Sequence, residues 1–321
     1  MILALAGGVG GAKLAKGLAD LLGPEELIVV VNTGDDFVHL GLHVSPDLDT
    51  VMYTLAGIND RDRGWGIAGE TWSFMQALQA LGGETWFQLG DRDLATHVER
   101  TRRLRAGESL SSVTAQLCGR LGIRHRVVPM SEQPVRTLVH TGEGVLSFQE
   151  YFVHRRAQPS VTKLEYDGAE RARMSEAFLR ALDDRALDAI VICPSNPYLS
   201  VAPILAVAGV RNALARRRCP VIAVSPIVAG RALKGPAAKI MRELGKDPSA
   251  LEVARFYQGV IDALVVDRTD SALTEAIAQL QLRPLVTDTV MSSSEDRVEL
   301  ARQVVQFAHT LDGRRATGVP A

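Results

Sequence analysis

Residues 1–18 read MILALAGGVGGAKLAKGL, and the fold turns on how this stretch divides. Ile2 to Ala6 form an apolar run, Gly7, Gly8, Gly10 and Gly11 crowd a turn, and helical periodicity runs from Ala12 to about Leu22. A continuous apolar run, rather than an alternating one, marks a strand buried on both faces. Glycine between strand and helix lets the backbone approach an anion closely, and the helix that follows presents free N–H groups and partial positive charge. The bland alternative is a turn kept tight for packing alone. Neither familiar phosphate-loop pattern fits. Lys13 stands where the dinucleotide fingerprint needs its third glycine, and Ala12-Lys13-Leu14 lacks the Gly-Lys-Ser/Thr of a Walker loop.

The same strand-to-helix alternation recurs outward from this point. LIVVVN (27–32), AIVICPS (189–195), PVIAVSP (220–226), ALVVDR (263–268) and PLVTDT (284–289) are apolar runs followed by helix-length stretches, one of them, near Leu48–Ala56, after an irregular segment. This is the pattern of an α/β protein with a Rossmann-like, three-layer parallel sheet. The middle departs from it. Helices are expected over Glu70–Leu81, Leu94–Ala106 and Ser111–Leu121, then strands in HRVVPMS (125–131), VRTLVHT (135–141) and GVLSFQEYFVHRR (144–156), read as antiparallel. The expected organisation is a core of residues 1–63 and 160–310, a smaller inserted α+β subdomain over 64–159, and a disordered tail over 311–321.

Composition narrows the function classes. With 46% hydrophobic residues in 321, the chain can bury a large core. Its 36 basic and 37 acidic residues nearly cancel, which gives no support to a nucleic acid or an anionic membrane as partner. Cys118, Cys193 and Cys219 are few and widely spaced, so neither a disulfide framework nor a zinc site is expected. Ile2–Ala6 is too short for a signal peptide or a membrane span. A soluble, cytoplasmic protein is the expectation.

In open parallel sheets ligands bind beyond the carboxyl ends of the strands, so the loops there carry the chemistry. GGVGGAK (7–13) is the first. NTGDDFVHLGLHVSPDLDT (32–50) brings Asp35, Asp36, Asp47 and Asp49 together with His39 and His43. Carboxylates in such number suit a magnesium ion, which takes one or two of them and fills its shell with phosphate oxygens and water. Helix capping explains one aspartate of the four, not all. CPSNPYLSVAPIL (193–205) offers Ser195 and Asn196 between two prolines, either as a recognition loop or as an ordinary helix entry. SPIVAGRALKGPAAKI (225–240) places Arg231 and Lys234 beside glycines, where they can neutralise a phosphate or simply be solvated. Two anion-binding loops, a carboxylate cluster and a polar loop at successive strand ends are the parts of a magnesium-assisted enzyme acting on a phosphoanhydride.

With those residues in view, the sequence resembles the 2-phospho-L-lactate transferase family, which builds the deazaflavin coenzyme F-420. The resemblance rests on AGGVGGAKLAKGL, VNTGDDFVHLGLHVSPDLDTVMYTLAG, GWGIAGETW, WFQLGDRDLATH, VICPSNPYLSVAPIL and SPIVAGRALKGPAAKIM, which spread over most of the chain. It implies a Rossmann-like core with a smaller subdomain, magnesium dependence and a homodimer. It implies transfer of a phospholactyl-type group from a guanosine diphosphate-linked donor to the ribityl hydroxyl of the deazaflavin Fo, with release of GMP. Carried onto this chain, Gly8, Gly10, Gly11, Ser195, Asn196, Arg231 and Lys234 would hold the donor. Asp36 and Asp49 would hold the metal, with Asp35 in the catalytic group as a candidate proton acceptor. Asp47, Thr50, Trp65 and Asp91 would face the acceptor. Whether the transferred acid is phospholactate, phosphoenolpyruvate or phosphoglycerate stays open on these residues. A rival class is a non-catalytic nucleotide-sugar-binding regulator of the gluconeogenesis-factor family, which shares the first turn but is not expected to carry the aspartate-rich or Trp-rich segments. A nicotinamide-dependent dehydrogenase is opposed by Lys13 and by Asn32, where an acidic residue should end the second strand.

Overall fold

The computed structural model describes residues 1–315. Seven strands form one sheet: β1 (Ile2–Ala6), β2 (Leu27–Val31), β3 (Arg126–Pro129), β4 (Ala189–Ile192), β5 (Val221–Val224), β6 (Ala263–Asp267) and β7 (Arg283–Thr287). Their spatial order is β7-β6-β5-β4-β1-β2-β3, and every neighbouring pair is parallel. The order reverses between β1 and β4, which opens a crevice at their carboxyl ends, where such sheets bind ligands.

Successive side chains of one strand point to opposite faces, and the core divides accordingly. Leu3 and Leu5 enter one apolar cluster with Ile190, Ile192 and Phe178, whereas Ile2, Ala4 and Ala6 enter another with Leu14, Leu18 and Val304. Helices therefore cover both faces. Helix α1 (Gly8–Leu21) packs on one side against α2 (Pro46–Ala56) and against the C-terminal helix Ser294–Arg315. That last helix runs through the start of the stretch 311–321 expected to be disordered; the remainder of that stretch lies outside the described residues.

HRVVPMS is not antiparallel. Its residues 126–129 form β3, a parallel edge strand in register with β2, packed against the helix Leu110–Arg120 that precedes it. Buried Val127 and Val128 and the intervening helix make this a crossover unit of the main sheet, and Pro129 is tolerated because the strand lies at the edge. The small antiparallel sheet instead joins Gly144–Ser147, Arg136–Thr141 and Val161–Asp167, in that order. Its third strand thus comes from residues read as core.

Candidate active site

A cleft of about 460 Å³ lies at the crevice between β1 and β4. It draws its walls from the loops after β1, β2, β4, β5 and β7, and from the inserted helices.

The glycine segment is tighter than the sequence implied. Helix α1 begins at Gly8, leaving Gly7 as the only residue between strand and helix. A Cβ at Gly7 would meet the Asp47 carboxylate, one at Gly10 the Pro194 carbonyl, and one at Gly11 the Ser195 hydroxyl. Close approach of two other loops therefore requires these glycines, and Gly8 sits at φ +62°. The first free N–H groups are partly spoken for. Gly7 N–H donates to Ser195 Oγ (3.2 Å) and Gly8 N–H to Asp47 Oδ1 (2.7 Å). The helix N-terminus thus holds a protein carboxylate, and Val9 and Gly10 are left facing the cleft.

Asp47 and Asp35 form one acidic group. Asn32, at the end of β2, donates its amide to Asp47 Oδ2 (2.9 Å) and to the Leu199 carbonyl (3.2 Å), bracing three loops. Asp35 lines the same cleft, and its Oδ1 has no hydrogen-bond partner among the described residues. Burial pushes the Asp47 carboxyl up to about 6, against hydrogen bonds from Asn32 and Gly8 that pull it down. Burial first, then repulsion from Asp47 and Asp36, raises Asp35 well above the usual carboxylate range. Two such carboxyls titrate as a pair.

The second acidic group was only half foreseen. Helix α3 (Asp91–Arg105) buries a polar face of Asp93, His97, Arg100 and Thr101 against α2. The Arg100 guanidinium, 0% exposed, grips both oxygens of Asp49: Nη1 to Oδ2 at 3.1 Å, and Nη2 to Oδ1. Arg100 Nη1 also lies 3.4 Å from His97 Nδ1, and His97 Nε2 lies 3.4 Å from Asp93 Oδ1. Tyr53 donates its hydroxyl to Asp93 Oδ1 at 2.6 Å. Burial alone would raise the Asp93 carboxyl, but His97, Tyr53 and Arg100 together hold it below its ordinary value. Asp49, Tyr53, Asp93 and His97 line the cleft, and Arg100 stands behind them.

Asp49, Asp93 and His97 offer ligand atoms within 4.8 Å of one another, the only such grouping found among the described residues. Two carboxylates at the cleft wall fit a magnesium ion that takes its remaining oxygens from water and phosphate. Asp36 does not join them. Its Oδ2 accepts from Ser45 Oγ (2.8 Å) and faces His43 Nε2 (3.1 Å), and the residue borders a separate small pocket with Glu108 and Arg136. The turn at Leu40-Gly41 folds residues 37–44 into a hairpin, which carries His43 toward Asp36 and buries His39 among Phe37, Trp86 and Phe87.

Basic and aromatic side chains also line the cleft, and Arg63 lies over the Trp65 ring at 5.8 Å. Lys13, Arg63 and Lys234 line it. Burial, with Arg297 and Lys234 nearby, lowers Lys13, whose Nζ donates to the Met291 carbonyl (2.7 Å). Trp65, Phe87, Phe148 and Phe152 line it too; Trp65 is 43% exposed, and Phe148 and Phe152 stack at 5.3 Å. Thr50, Ser195 and Asn196 reach the cleft as expected, although Asn196 Oδ1 is engaged in capping the N–H groups of Tyr198 and Leu199. Besides Asp36 and the buried Gly11, two expected residues do not line it. Arg231 is exposed on the short hairpin Ile227–Val228/Arg231–Ala232. Asp91 is not among the lining residues and accepts the N–H groups of Ser73 and Phe74, capping the start of the helix Ser73–Ala80. Its charge supports that helix, and Asp93, two residues on, takes the cleft position.

Among the described residues no helix is long and apolar enough to cross a membrane. A crystal structure of a upf0052-family protein from Bacillus halodurans superposes with a TM-score of 0.60, covering 95% of this chain and 98% of that one at 14% identity, a likeness of fold alone. A protein of Methanosarcina mazei named 2-phospho-L-lactate transferase is 39% identical over 305 residues, 95% of this chain and 99% of its own length. One from Streptomyces griseus named phosphoenolpyruvate transferase is 40% identical over 313 residues, 96% of this chain and 98% of its own. Residues 2–306 match the family described as 2-phospho-L-lactate transferase CofD, and with a Rossmann-like sheet and one cleft at its switch point this chain belongs to that family of transferases.

Proposed function

We propose that the protein transfers a phospholactyl-type group from a guanosine diphosphate-linked phospho-acid to the ribityl hydroxyl of Fo, releasing GMP, in coenzyme F-420 biosynthesis. One observation carries the reading beyond family membership. The raised carboxyls of Asp35 and Asp47, the basic side chains of Lys13, Arg63 and Lys234, and the rings of Trp65, Phe87, Phe148 and Phe152 all line one cleft. Trp65, Phe87 and Phe148 are lining rings suited to a planar deazaflavin, and Thr50 lines the same cleft as a partner for its polar groups. Lys13, Arg63 and Lys234 receive the donor's diphosphate, beside Val9 and Gly10 at the helix N-terminus and the Ser195-Asn196 loop.

The chemistry is one displacement. The acceptor oxygen forms a bond to the phosphorus that bears the phospho-acid, and the bond from that phosphorus to the GMP oxygen breaks. The proton of the attacking hydroxyl passes to the Asp35–Asp47 pair, whose carboxyls burial raises above their ordinary range, which favours accepting it. The leaving phosphate gains charge, and the three basic side chains neutralise it. Magnesium, when bound, neutralises further phosphoryl charge; Asp49 and Asp93 are the residues that fit it. The same reading makes the protein a cytoplasmic homodimer, which sedimentation would test.

The deciding experiment incubates the protein with Fo, magnesium and, in turn, the guanylylated forms of phospholactate, phosphoenolpyruvate and phosphoglycerate. The expected result is Fo-dependent release of GMP and a product mass that identifies the acid. No Fo-dependent GMP from any of the three donors would overturn the proposal.

A further inference from the structure

Arg100 is the largest fully buried side chain in the described structure, and it is charged. Burying a guanidinium is expensive, and an ion pair in its place is seldom more stable than apolar residues of the same volume. Its Nε has no hydrogen-bond partner among the described residues, so the pocket around it is not built to satisfy Arg100 for its own sake. What the geometry does satisfy is Asp49, gripped on both oxygens. A planar fork of this kind fixes the plane of a carboxylate, which a lysine ammonium cannot do. The same Nη1 approaches His97 Nδ1 and leaves the imidazole proton on Nε2, facing Asp93. One buried cation thereby sets two carboxylates, on two different helices, toward the same point of the cleft.

We propose that Arg100 is a positioning residue that pre-sets Asp49 directly, and Asp93 through His97, to receive a divalent cation between them. The inference rests on the transferase reading for the use of the cation, but not for its binding. Partners behind a metal's ligands commonly hold them in place, and their loss costs about 10- to 100-fold in metal affinity or activity.

The test measures Mn2+ binding by electron paramagnetic resonance on the whole protein without substrates, for the wild type, Arg100→Lys and Arg100→Met. Steady-state kinetics with varied magnesium and donor accompany it. The expected result is Mn2+ affinity lower by about 10- to 100-fold in Arg100→Met and by less in Arg100→Lys. A matching rise in the magnesium concentration for half-maximal rate should accompany a donor KM changed by less than about threefold. A merely structural role would lower the melting temperature and the active fraction but would not move the metal dependence of the folded fraction. If Arg100→Met does not fold, Arg100→Lys decides: wild-type Mn2+ affinity in that variant overturns the proposal, as does wild-type affinity in a folded Arg100→Met. Wild-type protein that binds Mn2+ through Arg100-sensitive ligands yet releases no GMP would overturn the transferase reading and leave this one standing.

Discussion

Asp47→Asn should make the protein more stable and much less active, and the gain should depend on pH in a definite way. The Asp47 carboxyl is raised from 3.8 to about 6, chiefly by burial. At roughly 1.4 kcal/mol per pH unit, holding it ionised costs the folded chain about 3 kcal/mol at neutral pH. The sign follows from proton counting. Below about pH 4 both folded and unfolded chains carry the proton, and there is no difference. Between about pH 4 and about pH 6 the unfolded chain has released it while the folded chain retains it, so rising pH favours unfolding. Above about pH 6 both are ionised and the loss is complete.

Asparagine removes this titration. Its carbonyl can still accept the Gly8 N–H, but its amide then opposes the Asn32 amide, a mismatch that costs about 1 kcal/mol. The net gain is about 2 kcal/mol at neutral pH, a melting-temperature rise of roughly 4 °C. Thermal melts in EDTA across the acid-to-neutral range read the difference between variant and wild type without any cation. That difference should widen by about 1 kcal/mol from pH 5 to pH 7 and then level off. A difference independent of pH, or one that narrows on the alkaline side, would refute the reasoning. Turnover should fall by about 100-fold or more, because the pair loses its proton acceptor.

Other residues separate binding from support. Trp65→Ala should raise the KM for Fo by about tenfold with donor KM unchanged, as expected for one lost stacking surface, read by varying each substrate in turn. Lys234→Met should raise donor KM by about tenfold and leave Fo binding intact, checked by calorimetry with GDP. Asp91→Ala should lower the melting temperature while turnover of the folded protein stays within about twofold, since the carboxylate supports the helix Ser73–Ala80 from outside the cleft. Gly10→Ala should cost about 1–3 kcal/mol in chemical denaturation, because its Cβ would meet the Pro194 carbonyl.

The parallel sheet was legible because each of its long strands is a continuous apolar run, a local signal that needs no partner to be read. β3 was misread for the opposite reason: Val127 and Val128 pair in parallel or antiparallel with equal ease, and only packing against the preceding helix decides. The glycines were legible as necessary, but not what they approach. Pro194 and Asp47 are distant in sequence, and they place a loop and a carboxylate where an anion was expected. Tyr53 and Arg100 were not singled out, and His97 only as the last residue of WFQLGDRDLATH, although a sharper signal exists. Asp93, His97 and Arg100 recur at i, i+4 and i+7, so they share one helix face, which an apolar stripe would normally occupy. A helix whose buried face is charged is a helix facing a site.

The two acidic groups also explain each other. Asp47 and Asp49 belong to the first turn of α2, two residues apart, yet their surroundings differ sharply. Asp47 meets a backbone N–H and an amide, neutral partners that leave burial in command, and its carboxyl rises. Asp49 meets a guanidinium, and Asp93 beside it meets an imidazole and a phenol that hold its carboxyl down. Carboxyls driven apart in this way suit different roles in the proposed reaction: the raised Asp35–Asp47 pair suits proton exchange, and the lowered Asp93 suits a cation or a phosphate-bound ligand. Exchanging the surroundings should exchange the behaviour. Asn32→Arg would put a cation beside Asp47 and lower its carboxyl, so the acidic limb of the rate profile should move to lower pH while the maximal rate falls, because a weaker base accepts the proton. An acidic limb unmoved in that variant would mean that the limb belongs to another group, and the division of labour between the two carboxylate sets would fail with it.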